Sequence, residues 1–350
     1  MERAALESIS SDAQAFLQQL DLIGRRALFV RVTRDELARA SFLDERLGLQ
    51  GREGFWLSFR QIDEIASMLP ANAPLPDFIF HIGHCGSTLL SRLLDQVPNV
   101  LGLREPLPLR DLASIGRELD SPLSRMDSTH WHSLIATSLR LWSRPFAPSQ
   151  HTLLKATSTC NNLIAPILQA EPGIRAVLLY LRLEPYLATM LKGSGLDALQ
   201  AAPGRLQFLH EFLDDTAIRL HELEPSEMIA MGWIAELARF QQLLARSSSS
   251  HRLLLLDFEH LLADIPTMLG GVLRHFGLPI NAGAGNPDAR QSILKAYAKN
   301  PAHAYSAEDR NHDLNLSRRS HAAGISRAMR WAGSVTQRYE QLSALRPLLG

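Results

Sequence analysis

One segment constrains the fold more than any other: Phe78-Ile79-Phe80-His81-Ile82-Gly83-His84-Cys85-Gly86-Ser87-Thr88-Leu89-Leu90. Its first five residues are aromatic or β-branched with one histidine, a composition suited to a strand buried on both faces. Gly83 and Gly86 then supply a turn, and Ser87 and Thr88 open a helix whose Leu89, Leu90, Leu93 and Leu94 share one face. In such a unit the glycines let backbone N–H groups converge, and the helix amino terminus adds a favourable dipole for an anion. Ser87 and Thr88 can donate further hydrogen bonds. A tight turn with Ser/Thr capping fits the same letters, so the anion reading needs support from the rest of the chain.

That support begins with the alternation that follows. Strand patterns occur at 100–103, 152–154, 176–181 (AVLLYL) and 253–258 (LLLLDF), and helical patterns at 87–96, 186–192, 205–222, 225–246 and 260–276. With 46% apolar and 21% charged residues the chain is of ordinary globular composition. The pattern predicts an α/β protein over 76–350: a P-loop three-layer fold with a central, mostly parallel sheet flanked by helices. Residues 1–72 are expected to form a mainly helical appendage with one short extended piece at 27–32, closed by the prolines at 70, 74 and 76. Beyond about 285 the pattern loosens into a loop-rich stretch, then an arginine-bearing helix near 322–345.

Several classes are disfavoured. The formal net charge is zero, which gives no reason to expect nucleic acid or an acidic membrane surface as partner. Two cysteines, Cys85 and Cys160, are too few for a disulfide framework and suit a reducing compartment. No secretory pattern stands at the amino terminus and no stretch approaches the ~18 apolar residues of a membrane span, so a cytoplasmic address is expected. The scattered histidines lack metal-ligand spacing, and no metal is expected. Lysine is scarce: only Lys155, Lys192, Lys295 and Lys299 occur, which draws attention to each.

A nucleoside triphosphatase or kinase would carry G-x-x-x-x-G-K-[ST], whose lysine neutralises the β- and γ-phosphates. Here two residues separate the glycines and Ser87 stands in the lysine's place. The run LLLLD (253–257) does resemble a strand ending in a magnesium-binding aspartate. A phosphosulfate donor carries less charge and transfers its group without a metal, so it tolerates a lysine-free loop.

Residues 83–90 resemble the 5'-phosphosulfate loop of the P-loop sulfotransferase superfamily, in particular its bacterial and tyrosylprotein branches. Leu94–Val100 and then Arg104-Glu105-Pro106 follow as they do in those branches. Leu154-Lys155-Ala156-Thr157 resembles the family's K-x-P/T step, and Val177–Arg182 with Pro185 and Thr189 its 3'-phosphate strand-loop-helix. Leu253–Leu261 with Phe276–Pro279 resembles a late structural strand-helix unit, and Ser306–Arg310 the S-x-x-E-R segment over the cofactor. These matches span roughly 78 to 312. The departures are His84 in place of a basic loop residue, and a shifted register after Arg182.

The resemblance implies 3'-phosphoadenosine-5'-phosphosulfate as donor, 3',5'-adenosine bisphosphate as product, and a hydroxyl acceptor whose identity no signature reveals. It implies Glu105 as general base, 21 residues after His84, with Lys155 and His84 stabilising charge at the sulfuryl group. Cofactor contacts would come from Gly83, His84, Cys85, Gly86, Ser87, Thr88 and Leu89, with Arg182 and Thr189 at the 3'-phosphate and Ser306 and Arg310 closing the site. His151 and His303 are alternative bases. His81 reads as a satisfied core histidine, Cys85 as a packing residue, and Trp131, Trp233 and Trp331 as core or rim. Two rivals stay open: a nucleotide-dependent phosphotransferase, and a non-catalytic nucleotide-binding protein with the same fold.

Overall fold

The computed structural model describes every residue except 1, 49, 71, 73, 120, 194, 247–249, 280–286 and 298–299. Parts of the proline-rich stop (71 and 73) and the start of the loosened stretch (285 and 286) therefore lie outside the described residues. Strands β1 (Ala15–Asp21), β2 (Arg26–Arg31) and β3 (Gly54–Ser58) form one antiparallel sheet. Strands β4 (Asp77–His81), β5 (Val100–Arg104), β6 (His151–Lys155), β7 (Ala176–Tyr180) and β8 (Leu253–Asp257) form the central parallel sheet, in the order β5-β6-β4-β7-β8. β9 (Ala296–Tyr297) and β10 (Asn300–Ala304) make a short hairpin.

Helices flank the central sheet, and β4, β5 and β7 are buried along their whole length, as parallel strands covered on both faces must be. This is the expected α/β class. β5 and β6 lie on one side of β4, and β7 and β8 on the other. The winding direction thus changes at β4, and the loop that follows it stands where open α/β sheets bind ligands. By internal contacts the chain divides into two compact units, one of residues 1–80, 88–176 and 270–290, the other of 81–87, 177–269 and 291–350.

In the first unit the expected strand at 27–32 is present as β2, but two further strands flank it where helix was predicted. β1 is buried on both faces, so polar alternation is lost, and its Phe16, Leu17 and Leu20 fall at a spacing that suits a helix equally well. Phe29 of β2 stacks on Phe55 of β3 at 5.6 Å, and Trp142 donates its indole N–H to the Leu17 carbonyl at 3.1 Å. Helices Leu107–Glu118 and Ser128–Trp142 fill the interval between β5 and β6.

In the second unit helix Pro225–Leu244 is buried nearly all round, with Trp233 donating to the Leu181 carbonyl at 2.8 Å. Helix Leu196–Leu213 packs on it and contains Pro203 in its interior. A helix was expected over 205–222; the observed one begins earlier and ends at Leu213, with Pro203 tolerated in its interior by burial against the neighbouring helix. The segment after 285 is also more helical than expected, with helices Pro287–Leu294 and Ala307–Ser320 ahead of the expected arginine-bearing helix, which runs over Ala322–Arg338. Helix Ala307–Ser320 buries only Leu314 and Ser317, so it leaves almost no apolar periodicity to read. Among the described residues no helix is long and apolar enough to cross a membrane.

Asp111, on helix Leu107–Glu118, accepts the backbone N–H of Leu20 at 3.3 Å. Burial pushes its carboxyl up to about 6, against the smaller lowering by that hydrogen bond. A raised carboxyl favours folding while protonated, so this stability is present below the unfolded value near 4 and is lost as pH rises through about 6. Asp111→Asn keeps the acceptor and removes the charge. It is expected to stabilise the protein by about 1–2 kcal/mol at pH 7.5 and negligibly at pH 4, measured as the difference from wild type in urea unfolding.

Candidate functional site

The loop after β4 takes a conformation that few residues tolerate. Gly83, His84 and Gly86 have φ of 93°, 49° and 80°, all in the left-handed region. Gly86 is required twice over: a Cβ there would stand 2.0 Å from the Phe258 ring. The Gly83 N–H donates to His81 Nδ1 at 3.0 Å, so this buried histidine has the structural part expected of it and withdraws one amide from any anion cradle. Beneath the loop, the Ile82 carbonyl accepts the Tyr186 hydroxyl at 3.3 Å, and Arg205 points a longer 3.5 Å contact at the same oxygen. Arg205 is itself buried against Glu236 at 3.0 Å.

Cys85 is fully buried with its thiol 3.4 Å from the Leu179 carbonyl, the packing part expected of it. The His84 imidazole lies 3.4 Å from Asp197. Among the described residues no group accepts the Gly86 N–H. Helix Ser87–Leu94 begins at the next residue, so the amides of Ser87, Thr88 and Leu89 belong to a first turn without intrahelical acceptors. The backbone therefore offers an anion a run of donors beginning at Gly86.

Two of the sequence-selected arginines meet one corner of the second unit, the junction of β8 with helix Phe258–Ala263. Arg182 lies 3.4 Å from Asp257, whose other oxygen caps that helix by accepting the Glu259 N–H at 2.9 Å. Arg310 pairs with Glu259 and stands 5.5 Å from the Phe258 ring centre, the ring that walls Gly86. Asp257 is thus committed to a cap and an arginine, which fits the structural reading of the LLLLD run better than a metal ligand. Thr189 spends its hydroxyl on the Pro185 carbonyl one turn back at 2.8 Å. Ser306 is the amino-terminal cap of helix Ala307–Ser320, in a reciprocal capping box with Asp309.

In the first unit, Arg104 and Lys155 are register partners at the carboxyl ends of β5 and β6. The next residue, Glu105, has φ 56° and donates its backbone N–H to the Lys155 carbonyl at 2.7 Å. Its carboxylate pairs with the buried Lys155 ammonium through Oε1, and Arg46 reaches Oε2 at 3.4 Å. Cys160 lies deeply buried near this group, its thiol pushed up to about 12 by burial first and by Glu105 second. His151, an alternative base, stands at the opposite end of β6, 3.3 Å from Asp77.

No family model and no curated protein matches the chain. Solved sulfotransferases resemble it. They include sulfotransferase STF1 from Mycobacterium tuberculosis H37Rv, at 16% identity over 76% of this chain and 80% of that one, with a TM-score of 0.38. The sulfotransferase from Alicyclobacillus acidocaldarius matches at 13% identity over 78% and 99%, with a TM-score of 0.36. Mouse SULT7A1 complexed with PAP matches at 11% identity over 84% and 96%, with a TM-score of 0.34. Likeness at this level carries no argument about chemistry, which has to come from the chain's own residues.

Two contributors were not found by the sequence reading. Phe258 lay inside a run taken as purely structural, and nothing local marks it as the wall of a glycine loop 172 residues earlier. Arg46 belongs to the amino-terminal segment, where no motif matched.

The loop geometry gives a stability test. Gly86→Ala combines a left-handed backbone with overlap against Phe258 and is expected to cost about 2–4 kcal/mol in urea unfolding. Adding Phe258→Leu, which withdraws the ring, should recover part of that loss.

Proposed function

We propose that the protein is a sulfotransferase that moves a sulfuryl group from 3'-phosphoadenosine-5'-phosphosulfate to an acceptor hydroxyl, with Glu105 as general base. The observation that carries the reading is the pairing of Glu105 with Lys155 at the carboxyl ends of adjacent strands. Two residues chosen separately along the sequence thus turn out to be partners, and one of them is among the chain's four lysines.

The residues present fit such a donor in kind. The Phe258 ring holds the glycine loop in shape at Gly86, and the amides that follow suit the 5'-phosphosulfate. Arg182, with its side chain 39% exposed, can turn from Asp257 to a 3'-phosphate, and Arg310 from Glu259 likewise. His84, Cys85, Ser87, Thr88 and Leu89 are assigned to the same loop contact, with Gly83 held by His81. Thr189 and Ser306 have their hydroxyls engaged within their own helices, so their proposed part is to hold the segments that carry Arg182 and Arg310.

When bound, the donor supplies the sulfuryl group. Glu105 accepts the proton of the acceptor hydroxyl as its oxygen bonds to sulfur and the sulfur–phosphate oxygen bond breaks, releasing 3',5'-adenosine bisphosphate. Lys155 places positive charge where negative charge grows on the sulfuryl and bridging oxygens, a stabilisation that matters most for a group withdrawn from water. Its buried ammonium meets that requirement.

Glu105→Gln is expected to lower turnover by about 100-fold with nearly unchanged affinity for 3',5'-adenosine bisphosphate. Unchanged turnover would remove Glu105 from its role. In a thermal-shift panel, adenosine bisphosphate should raise the melting temperature and ATP with magnesium should not. The reverse pattern would favour a phosphotransferase, and bisphosphate binding without labelled sulfate transfer a non-catalytic protein.

A further inference from the structure

Glu105 faces a segment that the sequence left without a function. Backbone bonds stitch residues 42–47 to the end of β5 on both sides of the glutamate. The Leu43 N–H donates to the Arg104 carbonyl at 2.7 Å, and the Leu43 carbonyl accepts the Leu107 N–H at 3.4 Å. Gln18 adds a second anchor, donating to the Leu43 and Asp44 carbonyls at 3.3 and 3.2 Å. From this anchored stretch Arg46 extends over the glutamate.

The Arg46 side chain is held on three sides. Its guanidinium carbon lies over the Phe42 ring, 3.4 Å from the ring centre, within reach of cation–π attraction. Its Nε donates to Asp44 Oδ1 at 2.8 Å, its Nη2 pairs with Asp44 Oδ2, and its own backbone N–H also donates to Asp44 Oδ1 at 3.0 Å. Burial opposes the charge of Asp44, but the Arg46 bonds outweigh it and hold that carboxyl below its usual range. With two nitrogens fixed on Asp44, Nη2 arrives at Glu105 Oε2 in one orientation only.

We propose that Arg46 is a positioning residue for the general base: it pins Oε2 of Glu105 so that Oε1 keeps its aim while Lys155 serves the transferring group. This inference rests on the proposed sulfuryl transfer. A carboxylate held by one lysine can turn about its terminal bond as soon as that lysine's donors are shared, because an ammonium is a point charge without planar preference. The Arg46 guanidinium, held by Phe42 and Asp44, supplies the second point of attachment. It touches neither donor nor acceptor in this scheme and acts through Glu105 alone.

The test is a double-mutant cycle in the full-length protein. Arg46→Met should lower kcat by about 10-fold, within the range that contacting groups exert on one another, with KM for the donor unchanged. In a Glu105→Gln background the same substitution should cost less than about 2-fold, because there is no carboxylate left to aim. Removing Arg46 leaves Asp44 buried without its cation, so Asp44→Asn/Arg46→Met is made alongside as a variant that unpairs no charge, with the same two outcomes expected. Arg46→Lys, a cation without the fork, should not restore kcat. An equal loss in the wild-type and Glu105→Gln backgrounds would overturn the positioning role while leaving the sulfotransferase reading intact. Undiminished turnover in both Arg46 variants would do the same. Absence of transfer by the wild-type protein, or full activity of Glu105→Gln, would overturn the underlying reading and this inference with it.

Discussion

The first unit depends on one buried cation. The Arg104 side chain is wholly inaccessible to water, pairs with Asp95, and donates to the carbonyls of Ala38 and Ala40 at 3.1 and 2.7 Å. Those carbonyls close the helix Arg34–Arg39, whose carboxyl-terminal dipole favours a cation. Burial lowers the guanidinium to about 9, still above neutrality, so the charge persists and must be matched. Helix Ser87–Leu94 through Asp95, the amino-terminal segment and β5 therefore have to meet at Arg104. Glu105 follows directly, and its left-handed backbone, costing about 1–2 kcal/mol for a residue with a Cβ, is sustained by this network and by the Lys155 carbonyl. The backbone orientation of Glu105 is thus maintained by the buried charges around Arg104.

The second unit achieves the same end by packing. The Phe258 ring admits only glycine at position 86, His81 takes the Gly83 amide, and the buried Arg205–Glu236 pair with Tyr186 closes beneath Ile82. The loop's shape is imposed from below and from the side, which leaves its amides after Gly86 uncommitted. Preorganised donors of this kind are what an anion site requires, since they pay no reorganisation when the ligand arrives. The arginines around the same corner, Arg182, Arg310 and Arg318, are paired with Asp257, Glu259 and Glu184.

The central sheet was legible because its strands are short, apolar and bounded by glycine or polar residues. All five expected strands stand within a residue or two of their predicted limits. Of the antiparallel sheet at the amino terminus only β2 was legible. Burial of β1 on both faces erases the alternation that marks a strand, and β3 is only five residues long. Helix Ala307–Ser320 was missed for the opposite reason, too little burial to leave a stripe. Glu105 and Lys155 of the first unit and Arg182 and Arg310 of the second were named from motif order, while Arg46 and Phe258 are marked only by contacts with residues 59 and 172 positions away.

By itself the sequence determined the α/β class and the strand–loop–helix at 78–94, because these follow from local composition and short spacings. Tertiary structure alone decided which residues are partners: Glu105 with Lys155 and Arg46, Arg182 with Asp257, and Arg310 with Glu259. It also decided that Thr189 and Ser306 spend their hydroxyls on their own helices. The reason is that a side chain's partner is set by how distant elements pack, and packing responds to shape and burial that no local window of sequence contains.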